Sequence, residues 1–354
     1  MTEEHHMYRC LQLAALGMGN VAPNPVVGAV LVYHGRIIGE GYHQQYGQAH
    51  AEVNCIASVK EEERHLISQS TLYVSLEPCA HHGKTPPCAD LIIQHKIPKV
   101  VVGHSDPFVA VAGKGIEKLK RAGVEVIVDV LKNECWNLNK RFFTFHTKHR
   151  PYITLKWAQT ADGKIAQADN SRLHISNEYT NRLVHKWRSE ETAILIGTNT
   201  ALFDDPELNT RLWKGNNPVR LVVDKHLRLP QSLKLFQSSQ TTIVFNLLQN
   251  TIDDLKGVTA NSGVLYYQLS EDASLIHQIV HAVYQMNIQS VLVEGGAKLL
   301  QSFIDEGLWD EARVITNTKM FAGNGINSPS LPALSSKEEM IANDRVTYFF
   351  NEFA

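Results

Sequence analysis

Three residues in the first third of the chain carry the donors of a transition-metal site: His50, Cys79 and Cys88. One imidazole nitrogen and two thiolate sulfurs suit zinc. Three protein ligands leave the fourth tetrahedral position to water, which marks a catalytic site rather than a closed structural one. Zinc so held lowers the pKa of its water towards neutrality and makes a nucleophile available near pH 7. Glu52 stands two residues beyond His50. With three softer ligands already at hand, its carboxylate is better suited to shuttling a proton from that water to a leaving nitrogen.

Each fragment alone is weak. An H-x-E tripeptide arises by chance, and a single cysteine is more often a buried core thiol. Context carries the argument. Residues 49–59 (AHAEVNCIASV) predict the opening of a helix with Glu52 in its first turn. Residues 71–76 (TLYVSL) predict a strand that ends at Glu77-Pro78-Cys79. A cysteine just after such a turn can sit at a helix N-terminus, where the dipole favours the thiolate a metal needs. The order H-x-E, then P-C, then a second cysteine is that of zinc deaminases of nucleobases. The spacing departs from C-x-x-C, because eight residues separate Cys79 from Cys88. His81 and His82 compete as ligands on residue type alone; with Lys84 and Thr85 they are read as a loop that reaches the substrate.

Such a site needs a fold to position it, and 354 residues exceed one ordinary domain, so two domains are expected. Hydrophobic content of 44% and charged content of 20% are those of a globular protein. A net charge of −2 carries no global nucleic-acid signature. No apolar run approaches the roughly 18 residues of a membrane span. The opening MTEEHHMYRC is acidic and polar, unlike a signal peptide. Cys10, Cys55 and Cys135, left over from the metal set, are expected as reduced thiols. These features point to the cytoplasm.

Along the chain, residues 7–18 predict a helix packed on a sheet. In APNPVVG at 22–28 the prolines fix an extended loop and present Asn24, whose donor and acceptor suit a heterocycle edge; a plain turn asparagine is the alternative. Residues 29–33 and 36–39 predict a hairpin, and His43 beyond it is either a substrate contact or a surface histidine. Helices at 89–95 and 115–122 alternate with strands at 99–103 and 124–128, giving an α/β domain that ends near residue 130. Residues 131–150 are basic and predict a connecting helix and linker before Pro151. A second α/β pattern follows, with strands at 152–156, 193–197, 219–224, 242–245 and 289–294 and helices at 178–190 and 297–306. The expected domains are 1–145 and 146–354. At Glu294-Gly295-Gly296-Ala297 a strand–Gly-Gly–helix turn lets the backbone approach a phosphate, unless the glycines serve packing alone.

The order of these motifs resembles one family across nearly the whole chain, the bifunctional deaminase–reductase (RibD) of riboflavin biosynthesis. The resemblance is carried by APNPVVG at 22–28, HAE at 50–52, SLEPC at 75–79 and GKTPPC at 83–88, then by RPYITLK at 150–156, ADGKIA at 161–166, DDPELNTR at 204–211 and VEGG at 293–296. It implies a two-domain α/β protein: a cytidine-deaminase-like α/β/α domain, then a dihydrofolate-reductase-like α/β domain. It implies zinc-assisted deamination of a diaminopyrimidinone ribosyl 5′-phosphate, with Glu52 carrying the proton, then reduction of the ribose to ribityl by NADPH. Asn24, His43, Lys84 and Thr85 would line the deaminase substrate site. The cofactor would meet Ala158, His174, Thr200, Asp204, Lys225 and the run Gly296, Ala297, Lys298, Leu299, Leu300, Gln301 and Ser302. The reductase substrate would meet Arg172, Arg188, Leu208, Arg211 and Glu294. His174 stands where the family often has tryptophan, and Arg172 where a serine would meet substrate. Lys225 either meets the extra phosphate of the cofactor or is a solvated lysine. The implied partner is a phosphorylated small molecule, in a protein compatible with a homo-oligomer and needing neither nucleic acid nor membrane.

Two rivals share the zinc site. A nucleic-acid-editing deaminase with an appended binding domain calls for a basic, aromatic-rich face, against which 34 basic residues are balanced by 36 acidic ones. A zinc-stabilised scaffold without activity calls for a fourth protein ligand and leaves Glu52 without a role.

Overall fold

A computed structural model describes residues 2–81, 86–107, 113–169, 171, 173–258, 262–332 and 335–351. The chain divides into two compact units, Met1–His149 and Arg150–Ala354. The division falls after residue 149 rather than after 145 because one helix runs unbroken over Lys140–Lys148.

In the first unit the elements are α1 (Glu3–Ala15), β1 (Gly28–Tyr33), β2 (Arg36–Tyr42), α2 (Ala51–Ala57), β3 (Thr71–Leu76), α3 (Cys88–Gln94), β4 (Lys99–His104), α4 (Lys114–Arg121), β5 (Glu125–Ile127), α5 (Lys132–Leu138) and α6 (Lys140–Lys148). The strands form one sheet in the order β2-β1-β3-β4-β5. β1 pairs antiparallel with β2 and β3, while β3, β4 and β5 run parallel. Alternate residues of a strand face opposite sides, and both sides are apolar here. Ala29, Leu31, Leu72 and Val100 pack with Ala51, Cys55, Ile92 and Leu119 from α2, α3 and α4. Val30, Val32, Tyr73 and Val101 pack with Met7, Cys10 and Leu13 of α1 and Cys135 of α5. The result is an α/β/α sandwich. Helix α1 begins at Glu3, earlier than expected, because Glu3 and Glu4 suit the positive end of the helix.

The expected connecting helix and linker at 131–150 is instead two helices of this unit. Asn139 between them accepts from Val26 N–H and donates to the Val26 carbonyl, both at 2.9 Å. Phe142 and Phe143 are buried against Leu76 at the end of β3. This segment therefore braces both the 22–28 loop and the strand leading to Cys79.

In the second unit the elements are β6 (Tyr152–Thr160), β7 (Lys164–Gln167), α7 (Glu178–Glu190), β8 (Ala193–Gly197), α8 (Thr198–Asp204), β9 (Val219–Val223), β10 (Thr242–Asn246), β11 (Val264–Gln268), α9 (Leu275–Gln285), β12 (Ser290–Glu294), α10 (Ala297–Asp305), β13 (Glu311–Asn317), β14 (Gly325–Asn327), β15 (Ser336–Ile341) and β16 (Asp344–Phe350). The main sheet has the order β11-β10-β9-β8-β12-β6-β13-β16-β15. It is parallel from β11 to β13, and β16 and β15 close that edge antiparallel. Central strands such as AILIG and SVLVE read as continuous apolar runs because helices cover both faces. Ile276, Ile279, Leu300 and Phe303 of α9 and α10 pack on one face, and Val184, Trp187 and Ala201 of α7 and α8 on the other. The chain leaves β8 and β12, which are neighbours, towards helices on opposite faces. Such a switch point opens a crevice at the carboxyl ends of the strands, where α/β sheets bind ligands.

Candidate active sites

The first site forms at the carboxyl end of β3. His50 occupies the N-cap of α2, Cys79 follows β3, and Cys88 opens α3. His50 Nδ1 lies 3.6 Å from Cys79 Sγ and 3.4 Å from Cys88 Sγ. The three donor atoms fall within 4.8 Å of one another. Two tetrahedral zinc bonds of roughly 2.0 and 2.3 Å set their N and S atoms roughly 3.5 Å apart, so this donor set fits zinc in both chemistry and spacing. The Cys88 N–H donates to Cys79 Sγ at 3.3 Å. Its neighbour Cys88, against the effect of burial and with help from His50, lowers the Cys79 thiol to about 4. Cys88 itself is pushed up by the Cys79 sulfur and by burial. Two sulfurs competing for one proton form a pocket that a divalent cation would relieve.

Glu52, in the first turn of α2, is 3% exposed. Burial, reinforced by the Cys79 charge and opposed by His50, raises its carboxyl to about 7. His43 is buried too, and its Nδ1 lies 3.0 Å from the Ala49 carbonyl. A carbonyl accepts only, so Nδ1 bears the proton, and Nε2 accepts from Asn24 Nδ2 at 3.1 Å. Burial, together with His50, holds His43 below the usual histidine range. His43 is thus a fixed neutral ring rather than a surface residue, and it orients the Asn24 amide. His81 is exposed; His82, Lys84 and Thr85 lie outside the described residues.

The second site is a cavity of about 980 Å³ at the switch point of the parallel sheet. Ala158, His174, Thr200, Asp204, Lys225, Gly296, Ala297, Lys298, Leu299, Ser302, Arg188, Leu208, Arg211 and Glu294 all line it. Leu300 and Gln301 do not. The turn of α10 sends Leu300 fully into the core, and Gln301 bonds Asp305 and the Ser330 N–H instead. Arg172 lies outside the described residues.

The Gly-Gly turn divides its tasks. Gly295 has φ +110°, and a Cβ there would lie 2.5 Å from Thr200 Oγ1. The Gly296 N–H is already bonded to Thr200 Oγ1 at 2.9 Å. The N–H groups left to a phosphate are those of the first turn of α10, Ala297 to Leu299, which have no intrahelical partner. Lys225 and Arg228 add positive charge at the cavity wall beyond β9. Cavity size, helix terminus and basic margin fit a phosphorylated dinucleotide.

In the same cavity Arg188 grips Glu294 with two hydrogen bonds of 2.9 and 2.8 Å. Lys156 Nζ lies 3.9 Å from the same carboxylate. Burial acts to raise the Glu294 carboxyl, but Arg188 and Lys156 bring it down to about 2. These two residues, expected at the substrate, meet each other first. Arg211 is half exposed and bonds only Asn209 Oδ1 at 2.9 Å and Glu207 at 3.8 Å among the described residues. His185 went unnoticed in the sequence. It is 5% exposed, lines the cavity, and leaves Nδ1 without a partner among the described residues. Burial, with Arg188 and Arg211, lowers it to about 4, so the ring is neutral. Its position three residues before Arg188 on α7 was the available signal.

An α/β/α unit with a His/Cys/Cys set and a buried glutamate, followed by a parallel-sheet unit with a dinucleotide-sized cavity, defines a zinc deaminase joined to a reductase. Comparison with known proteins agrees. Residues 1–104 match the cytidine and deoxycytidylate deaminase zinc-binding region, and residues 151–337 match the RibD C-terminal domain. The riboflavin biosynthesis protein RibD of Aquifex aeolicus is 38% identical, over 98% of this chain and 98% of its own. That of Escherichia coli is 32% identical, over 94% and 92%. The crystal structure of a diaminohydroxyphosphoribosylaminopyrimidine deaminase/5-amino-6-(5-phosphoribosylamino)uracil reductase from Thermotoga maritima superposes with a TM-score of 0.87 at 36% identity, covering 99% of this chain and 98% of that one. The chain belongs to the RibD family, the bifunctional deaminase/reductases of riboflavin biosynthesis. It carries a zinc-binding deaminase domain and an NADPH-dependent reductase domain. No helix among the described residues is long and apolar enough to cross a membrane.

Proposed function

We propose that the first unit deaminates 2,5-diamino-6-(5-phosphoribosylamino)pyrimidin-4(3H)-one at the His50–Cys79–Cys88 site, and that the second reduces the ribosyl group of the product to ribityl. The observation that carries the first step is the buried Glu52 carboxyl beside a donor set spaced for zinc. Zinc, when bound, supplies a water acidic enough to act as nucleophile near neutral pH. Glu52 accepts the proton on its carboxylate and delivers it to the departing amine, a transfer that works best when the acid is balanced near the operating pH. Asn24, whose NH2 is turned to His43, is left with its Oδ1 to accept from a pyrimidine amine or ring N–H.

In the second unit NADPH supplies the reducing equivalent. The first turn of α10 would hold its diphosphate, and Lys225 and Arg228 would meet its additional phosphate. Arg211, the less committed of the two arginines, binds the 5′-phosphate of the substrate as a two-pronged donor. The Arg188–Glu294 pair keeps a charged, rigid wall beside the sugar, so that positioning is the main contribution of the protein. The phosphorylated small molecule needs neither nucleic acid nor membrane, in keeping with a net charge of −2. Cys10, Cys55 and Cys135, outside the metal set, are free thiols and suit the reducing cytoplasm. The test is to supply the diaminopyrimidinone ribosyl phosphate and follow ammonia release and NADPH oxidation separately. Oxidation without ammonia release contradicts the proposed order.

A further inference from the structure

Glu77 lies two residues before the ligand Cys79, and its carboxylate is one of the most heavily bonded groups in the first unit. It is 4% exposed, and its acceptors are all engaged by backbone. Oε2 accepts from the Asp106 N–H at 3.1 Å and the Gly113 N–H at 3.0 Å. Oε1 accepts from the Gly115 N–H at 2.9 Å and the Ile116 N–H at 3.3 Å. Gly113 is the N-cap of α4, and Gly115 and Ile116 lie in its first turn. These are donors that a helix leaves unpaired, and a negative charge is favourable there. The Glu77 N–H in turn donates to the His104 carbonyl at 3.0 Å, where β4 ends beside β3.

Pro78 is held from the other side. A Cβ on Gly115 would lie 1.9 Å from the Pro78 carbonyl oxygen, so α4 packs directly against that peptide. The chain between β3 and Cys79 is therefore fixed by its side chain at residue 77 and by contact at residue 78. A helix cap alone requires one or two acceptors. Here both oxygens are consumed, by a residue tethered to a metal ligand across a single proline.

We propose that Glu77 is a positioning residue for the deaminase metal site: it fixes Cys79 Sγ opposite His50 Nδ1 by clamping the Asp106 peptide and the first turn of α4 to the end of β3. The proposal rests on His50, Cys79 and Cys88 being the zinc ligands. Outer residues that orient ligands govern metal affinity roughly ten- to hundredfold.

The full chain is tested as Glu77→Ala and Glu77→Gln. Zinc affinity is measured by titration against a competing chelator, and the Co2+-loaded proteins are compared by visible absorption. The expected result is a zinc affinity about ten- to hundredfold weaker in Glu77→Ala, with altered cobalt–thiolate and ligand-field bands. Glu77→Gln, which keeps one acceptor oxygen, should lie between. NADPH oxidation with pre-deaminated substrate should be unchanged in both. A residue that merely capped α4 would lower the melting temperature and leave the cobalt bands where they are. Wild-type zinc affinity and cobalt bands in Glu77→Ala overturn the proposal. If Glu77→Ala fails to fold by circular dichroism, the same two readouts on Glu77→Gln decide. Failure of the underlying site appears separately, as wild-type protein that binds no zinc.

Discussion

Glu52 is a carboxylate in a place where ionisation is costly, and that is what suits it to proton transfer. Replacing it by glutamine keeps the shape and removes the transferable proton. Glu52→Gln should retain zinc by elemental analysis, while deamination falls by roughly two to four orders of magnitude. Reduction of pre-deaminated substrate should be untouched. Loss of zinc in this variant would make Glu52 a ligand instead. A second consequence follows from the buried charges of the reductase cavity. His185 titrates near 4 in the folded chain, below its ordinary 6.5. As pH falls below 6.5 the unfolded chain takes up this proton first, so stability declines until about pH 4. Glu294, at about 2 against 4.5, is stabilising above 4.5, and that contribution is lost as pH falls towards 2. Melting temperatures measured from pH 7 to pH 4 should therefore fall, and His185→Gln should flatten the upper part of that slope. A slope equal to wild type in the variant would exclude His185 as its source.

Among the elements, the Gly-Gly turn carries the sharpest constraint, and it lies at Gly295. A left-handed φ and a Cβ 2.5 Å from Thr200 both oppose any side chain there. Gly295→Ala should raise the apparent KM for NADPH, whereas the same change at Gly296, whose φ is −60°, should be milder. Kinetic comparison of the two variants checks this. Arg211→Ala should weaken the phosphorylated substrate by roughly one to two decades, from about 1.5–3 kcal/mol for a charge-assisted bond. NADPH binding by fluorescence should barely change; the reverse pattern would exchange the two phosphate sites.

Elements with plain periodicity were legible in the sequence. Apolar runs marked β3, β4, β8, β9, β10 and β12, and α7 was placed from Glu178 to Glu190 as observed. Residues 131–150 read as one connecting helix and a linker, not as the two helices α5 and α6, because lysines and arginines obscure Phe142, Phe143 and Phe145, which are buried. β13 escaped because Glu311 and Arg313 interrupt its apolar run; they are buried as an ion pair of 2.7 Å. β15, largely exposed, offers no alternation at all. At the sites, the candidate donors His50, Cys79 and Cys88 were legible because their chemistry is rare and their order distinctive, and the fold brings them together. The Arg188–Glu294 grip was not, since it joins a helix to a strand end 106 positions away.

Across the whole molecule, two units carry two chemistries in one chain, each on its own set of residues. On the proposed reading, deamination depends on the His50–Cys79–Cys88 set and precedes reduction. The most direct test is Cys88→Ser, assayed beside wild type with the diamino substrate and with pre-deaminated substrate, following zinc content, ammonia and NADPH together. Wild type should release ammonia and oxidise NADPH in equal amounts. Cys88→Ser should lose zinc, release no ammonia and leave NADPH unoxidised on the diamino substrate, yet oxidise NADPH normally on the pre-deaminated one. A Cys88→Ser protein that keeps its zinc and deaminates at the wild-type rate would remove Cys88 from the metal site and from the reaction.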